Sequence, residues 1–135
     1  ELHIFGVNFK NNKLIKYNIF CHGKIPRQKL LKFYKKSIGM ICLGYDETFC
    51  LNAIEAMKMG MPIVTLGKTA LNEIIEDKKN GYLVDNIDNI DKPIFNLINL
   101  DTPSIVSLSK YCSKFASNYN SNIIFKDWEK LICSN

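Results

Sequence analysis

The sequence holds two histidines, one tryptophan and no pair of cysteines at Cys-x-x-Cys spacing, and each shortage closes off a class of chemistry. His3 and His22 stand far apart in the chain, so neither is expected to be a metal ligand and no metal site is expected. Cys21, Cys42, Cys50, Cys112 and Cys133 are odd in number and scattered, which reads as packing thiols in a reducing cytoplasm and not as a disulfide frame. No apolar run reaches the roughly 18 residues of a membrane span, and the first residues lack the charged and apolar blocks of a targeting signal. Internal repeats and low-complexity tracts are missing too. The start at Glu1 instead of Met carries the expectation of a fragment or a processed chain. Acids are scarce at one end: up to Lys36, Glu1 is the single carboxylate against Lys10, Lys13, Lys16, Lys24, Arg27, Lys29, Lys32, Lys35 and Lys36.

What is present fits one domain. The chain has 135 residues, of which 47% are hydrophobic and 23% charged, an ordinary composition for a folded core. The net charge of +5, concentrated in the first third, attracts phosphates or acidic lipid headgroups, so peripheral contact with the inner face of an anionic membrane is an expectation of the basic face. No aromatic-interleaved basic motif accompanies the lysines, and nucleic acid is not an expected partner.

Short apolar runs bounded by turn residues predict strands at residues 2–5, 18–21, 40–43, 63–66 and 82–84. Between the first two lies a polar, Asn-rich excursion at 8–16, too short for a good helix. Pro26 suits a first helical turn, and Leu30, Leu31, Tyr34 and Ile38 recur at helical spacing up to Gly39. Further helices are expected over 69–76 with Thr69 as N-cap, over 86–100 with Pro93 leaving part of that span open, over 102–119 and over 123–133. Buried strands alternating with helices indicate a Rossmann-like α/β fold: a doubly wound parallel sheet in three layers, whose ligands sit beyond the carboxyl ends of the strands.

The turn after residues 40–43 opens into the richest stretch, residues 47–60, reading ETFCLNAIEAMKMG. Leu51, Ala53, Ile54, Ala56, Met57 and Met59 make this helix apolar almost all round, which predicts burial, with Glu55 at or near the interior and in need of a partner. Its first amides, from Thr48, Phe49, Cys50 and Leu51, are a site for a phosphate. Glu47 just ahead of the helix suits sugar hydroxyls, and Glu55 two turns in suits a ribose. Each acid also has a bland reading, Glu47 as a complement to the helix dipole and Glu55 as a buried acid tied to backbone or lysine.

The same residues resemble the signature of group 1 glycosyltransferases, the family four, retaining enzymes of GT-B architecture: a Glu, seven residues, a second Glu, Ala-Met, then Gly and Pro. Here these are Glu47, Glu55, Ala56, Met57, Gly60 and Pro62. The run Asn72-Glu73-Ile74-Ile75-Glu76-Asp77 and the strand Gly81-Tyr82-Leu83-Val84 resemble a later family stretch, and Ile19-Phe20-Cys21-His22-Gly23-Lys24-Ile25 resembles the strand and turn that line its base pocket. The resemblance covers nearly the whole chain. It implies a single, partial C-terminal donor domain over 1–135, binding a nucleotide diphosphate sugar of UDP or GDP type, with no cofactor and no metal. Glu47 would act on the donor sugar, the amides of Thr48, Phe49, Cys50 and Leu51 would hold the diphosphate, Glu55 the ribose, and Gly23, Lys24 and Ile25 would face the base. Glu73 is left structural.

Gly44 stands where the family often has Ser, and Cys50 where it often has Gly. The family's first strand and helix, whose segment carries a basic pair on the diphosphate, have no counterpart in the sequence; Lys24 and Lys68 are not expected to replace that pair. In the order 3-2-1-4-5-6 the missing strand is central. The N-terminal domain that would bind a glycan or lipid-linked acceptor is likewise outside the sequence, so the chain alone is expected to be inactive. The alternatives are a GT-B nucleotide-sugar epimerase and a non-catalytic nucleotide-sugar-binding or assembly module.

Overall fold

A computed structural model describes residues 1–6, 12–44, 49–67 and 70–133. They form two compact units, Glu1–Lys35 and Lys36–Asn135.

In the first unit, β1 (Leu2–Phe5) and β2 (Ile19–Gly23) pair in parallel, with His3 opposite Phe20 and Ile4 opposite Cys21. The excursion between them winds into a 3-10 helix, Asn12–Tyr17, and Asn18 turns left-handed to enter β2. Pro26 caps α1 (Arg27–Tyr34), extended at its own ψ and helical just beyond. This helix stops a turn earlier than its apolar spacing suggests. Ile38, expected on its inner face, lies past its end and is 49% exposed.

The second unit holds a three-stranded parallel sheet in the order β3 (Met40–Cys42), β4 (Ile63–Leu66), β5 (Gly81–Val84). Central β4 is buried throughout, as a strand covered on both faces must be. The described strands thus form two parallel ladders, one of two strands and one of three.

Helix α2 (Leu51–Lys58) packs against β3 and β4 and along α4 (Thr102–Ala116). Its exit has the hydrogen bonds of a Schellman stop: Met61 N–H reaches the Ala56 carbonyl at 3.0 Å, and Gly60 N–H that of Met57 at 2.8 Å. Gly60 sits at φ +84°, where a side chain would also run into Ser109. One core cluster joins Val64, Leu66 and Val84 to Leu97 of α3 (Asp91–Ile98) and Leu108 of α4. Pro93 falls in the first turn of α3, where its missing N–H costs nothing, and the α-helical part of the expected 86–100 span is Asp91–Ile98. A separate 3-10 turn, Ile87–Asn89, precedes it.

The helix expected over 69–76 is a 3-10 turn, Ala70–Glu73. Asn72 donates to the Gly67 carbonyl at 2.8 Å, and fully buried Asn80 takes the Glu76 N–H at 2.8 Å while donating to the Ile74 carbonyl at 3.0 Å. Side chains thus hold backbone groups that an α-helix would have used. The last helix, α5 (Ser121–Cys133), buries none of its residues. No helix among the described residues is long and apolar enough to cross a membrane.

Candidate functional site

Site geometry starts where β3 ends. Cys42 closes the strand and is buried, Leu43 is half-buried and Gly44 is exposed. Glu47 and Thr48 lie outside the described residues, as do Lys68 and Thr69. The chain reappears at exposed Phe49 and reaches buried Cys50, which is the N-cap of α2. Cys50 offers no side-chain cap; its carbonyl accepts the Ala53 N–H at 3.0 Å and the Ile54 N–H at 3.4 Å. The helix therefore begins at Leu51, later than the amide series expected from the sequence. The first-turn amides without an intrahelical acceptor are those of Leu51 and Asn52, Asn52 being absent from the sequence-based set, while Phe49 and Cys50 precede the helix. No acidic side chain occupies that turn.

The expectation of a helix buried all round is corrected. Ala53, Ile54, Ala56 and Met57 form the buried stripe, spaced one, three and four apart, and Leu51 on the opposite side is 67% exposed. Asn52 and Lys58 are exposed and Glu55 is half-buried on this outer side. Ala53 and Ala56 are fully buried within this stripe. The carboxylate of Glu55 is thus carried on the solvent side of the helix and not in the interior.

Two features around this turn were not legible in the sequence. The Cys42 and Cys50 sulfurs meet at 3.4 Å, one from each side of the connection. Phe49 packs at 6.0 Å, ring centre to ring centre, from Tyr119, which lies 5.8 Å from Phe115 of α4. Lys58 donates to the Tyr119 carbonyl at 2.8 Å, tying the far end of α2 to the same segment. An aromatic pair at i, i+4 such as Phe115 and Tyr119 is a helix-face signal, but its partner Phe49 is remote in sequence.

Gly23, Lys24 and Ile25 belong to the first unit, at the carboxyl end of β2: Gly23 takes φ +64°, Lys24 is exposed and Ile25 half-buried. Beside them His3 Nδ1 and His22 Nε2 are 2.9 Å apart, one donating to the other, with Phe33 about equally close to both rings. Chain distance is therefore no guide to their separation, since parallel pairing of β1 and β2 brings them together. Among the described residues no group of three or more His, Cys, Asp or Glu side chains could hold a metal ion. A shallow concavity lined by Lys79, Tyr82, Leu100, Ser104, Ser107 and Tyr111 lies at the amino end of β5, the wrong end of the strand for a ligand of this fold.

A family model described as glycosyl transferases group 1 matches residues 7–116, across both units. The chain belongs to the group 1 glycosyltransferases. Among curated relatives, the poly(ribitol-phosphate) alpha-N-acetylglucosaminyltransferase of Staphylococcus aureus is 29% identical over 146 residues, which cover 99% of this chain and 29% of the relative. The chain spans under a third of that relative's length. Among solved structures, the C-terminal domain of the group 1 family protein LpcC from Francisella tularensis superposes with a TM-score of 0.66 at 24% identity, over 79% of this chain and 58% of that one. HepE of Anabaena, solved with UDP-glucose, gives 0.73 at 17% identity over 91% of this chain and 35% of that one. These two likenesses establish the Rossmann-like α/β fold of GT-B glycosyltransferases, and the parallel ladders with flanking helices are those of its C-terminal domain.

Proposed function

We propose that this glycosyltransferase chain is one partial donor domain, and that the longer protein carrying it transfers a sugar, with retention, from a nucleotide diphosphate sugar to a glycan or lipid-linked acceptor. The observation that carries the reading is the start of α2 at the carboxyl end of β3, with Glu55 on the helix's outer side and no acid in its first turn. The Leu51 and Asn52 amides, with Phe49, Cys50 and Thr48 ahead of them, hold the diphosphate; Glu55 accepts the ribose hydroxyls; Glu47 contacts the donor sugar; Gly23, Lys24 and Ile25 face the base. Fixed amides and the helix dipole are worth most where charge develops, so their chemical role is to stabilise the departing nucleoside diphosphate. HepE's bound UDP-glucose supports a donor of the UDP type.

Calorimetric titration of UDP, GDP and ADP sugars tests the assignment. Binding of one nucleotide by the wild type, weakened about tenfold in Glu55→Ala as expected for loss of a charge-assisted hydrogen bond, is the expected result. Equal affinity of the two proteins removes Glu55 from the site. The exposed Lys24, Lys29, Lys32, Lys35 and Lys36 support peripheral contact with an anionic membrane on the cytoplasmic side. Co-sedimentation with anionic vesicles that disappears at high salt is the outcome this requires.

A further inference from the structure

Two buried thiols stand at the two ends of the connection that the donor site depends on. Cys42 is the last residue of β3 and Cys50 the N-cap of α2; they are 9% and 5% exposed, and their sulfurs are 3.4 Å apart, one donating to the other. A disulfide needs about 2.05 Å between sulfurs, so the gap to close is about 1.4 Å, within reach of small side-chain rotations and a shift of one helix end. The other cysteines lack this arrangement. Cys112 donates to the Asn80 carbonyl at 3.4 Å deep in the fold, and burial pushes its thiol up to about 12.

We propose that Cys42 and Cys50 form a modification site, which an oxidant of the peroxide class converts to a reversible disulfide that displaces the first turn of α2 and weakens nucleotide binding. The first half of this stands on sulfur geometry alone; the second rests on the donor site proposed above. The chemistry is a two-electron oxidation. One sulfur, as thiolate, attacks peroxide and becomes a sulfenic acid as the O–O bond breaks and water leaves; the second sulfur attacks the first, an S–S bond forms and the sulfenic oxygen leaves as a second water. Two thiols and one hydrogen peroxide give one disulfide and two waters.

Consequences follow from where the bond would sit. Cys50 directly precedes the Leu51 and Asn52 amides and its carbonyl receives the first two helical hydrogen bonds, so drawing its sulfur toward β3 turns the whole first turn. Donors aimed at an anion lose affinity when their geometry shifts by a fraction of an ångström to an ångström.

The test uses the full-length protein, reduced or treated with hydrogen peroxide, followed by differential alkylation and peptide mass mapping. Expected is a single linkage between residues 42 and 50, with the loss of two hydrogens, reversed by dithiothreitol and absent from Cys42→Ala and Cys42→Ser. UDP affinity is expected to fall by about tenfold on oxidation of the wild type and to stay constant in both variants. Alkylation of both positions after oxidation, or linkage through Cys21 or Cys133, overturns the modification site. A 42–50 linkage with unchanged UDP affinity overturns the control of binding. Failure of the reduced protein to bind UDP, GDP or ADP overturns the donor reading instead, and the mass map still decides the disulfide.

Discussion

Asn80 and Thr65 are both fully buried polar residues, with opposite accounts. Asn80 uses its whole side chain, taking the Glu76 N–H and donating to the Ile74 carbonyl, while its own carbonyl receives the Ile63 N–H at 3.2 Å and the Cys112 thiol. Asn80→Ala is expected to cost about 2 kcal/mol in denaturant unfolding, because it leaves the Glu76 N–H and the Ile74 carbonyl without their side-chain partner, while the bonds to the backbone carbonyl remain. Thr65 Oγ1 has no hydrogen-bond partner among the described residues. Thr65→Val keeps the shape and removes the orphan, so a gain of about 1 kcal/mol is expected by the same measurement. Glu76 is held below its ordinary carboxyl value of 4.5 first by the Tyr111 hydroxyl, at 2.9 Å, and then by Lys79, at 3.1 Å. A depressed folded value means that this contribution is present above about pH 4.5 and is lost as the pH falls further. Acid unfolding of Glu76→Gln is expected to be less steep over that range than that of the wild type. An Asn-Gly pair announces a turn, but the turn falls at residues 78–80, with Lys78 left-handed at φ 64°, and Gly81 already opens β5. The Asn side chain anchors the preceding segment through Glu76 and Ile74, and the Cys112 thiol of α4 closes over its backbone carbonyl, a contact that local spacing does not encode.

At the scale of elements, the strands were the most legible. Runs such as Ile63 to Leu66 are apolar, short and bounded by Pro62 and Gly67, and the ladder has the same bounds. Helix α2 was legible as a helix but not in its orientation. A sequence apolar on every side does not say which stripe is buried; that is settled by packing against β3, β4 and α4, which lie far from it in the chain. Its end was legible to the residue, because Gly60 and Pro62 have only one good arrangement after a helix. Gly60→Ala is expected to cost about 2 kcal/mol, from a left-handed backbone and from the contact with Ser109. Combining it with Ser109→Ala recovers the steric part only, so the double variant is expected to be more stable than the single one but still below wild type in thermal unfolding. Gly81 has a different reason: a side chain there would meet the Ile63 backbone of β4, so the glycine that opens β5 permits the register and does not provide unusual torsions.

For the whole molecule, the parallel α/β class followed from short apolar strands alternating with helices, whereas the grouping of the described strands into a pair and a trio was not legible in the sequence. Nor was the fate of the last helix. Its spacing is amphipathic, yet Ile124, Phe125, Trp128, Leu131 and Ile132 are all exposed, because nothing among the described residues covers that face. A 13-residue helix with no buried side chain has little beyond its own marginal propensity to hold it. In this chain studied by itself, amides of α5 are expected to exchange with deuterium far faster than those of α4, whose Leu108, Cys112 and Ala116 are buried. The central claim is that the start of α2 receives the donor's diphosphate. It is tested most directly by following backbone amide resonances through a titration with UDP. The account predicts that Leu51 and Asn52 shift most and saturate with a single affinity. Shifts confined to the amino end of β5, around Tyr82 and Tyr111, or none at Leu51 and Asn52 at saturation, would contradict it.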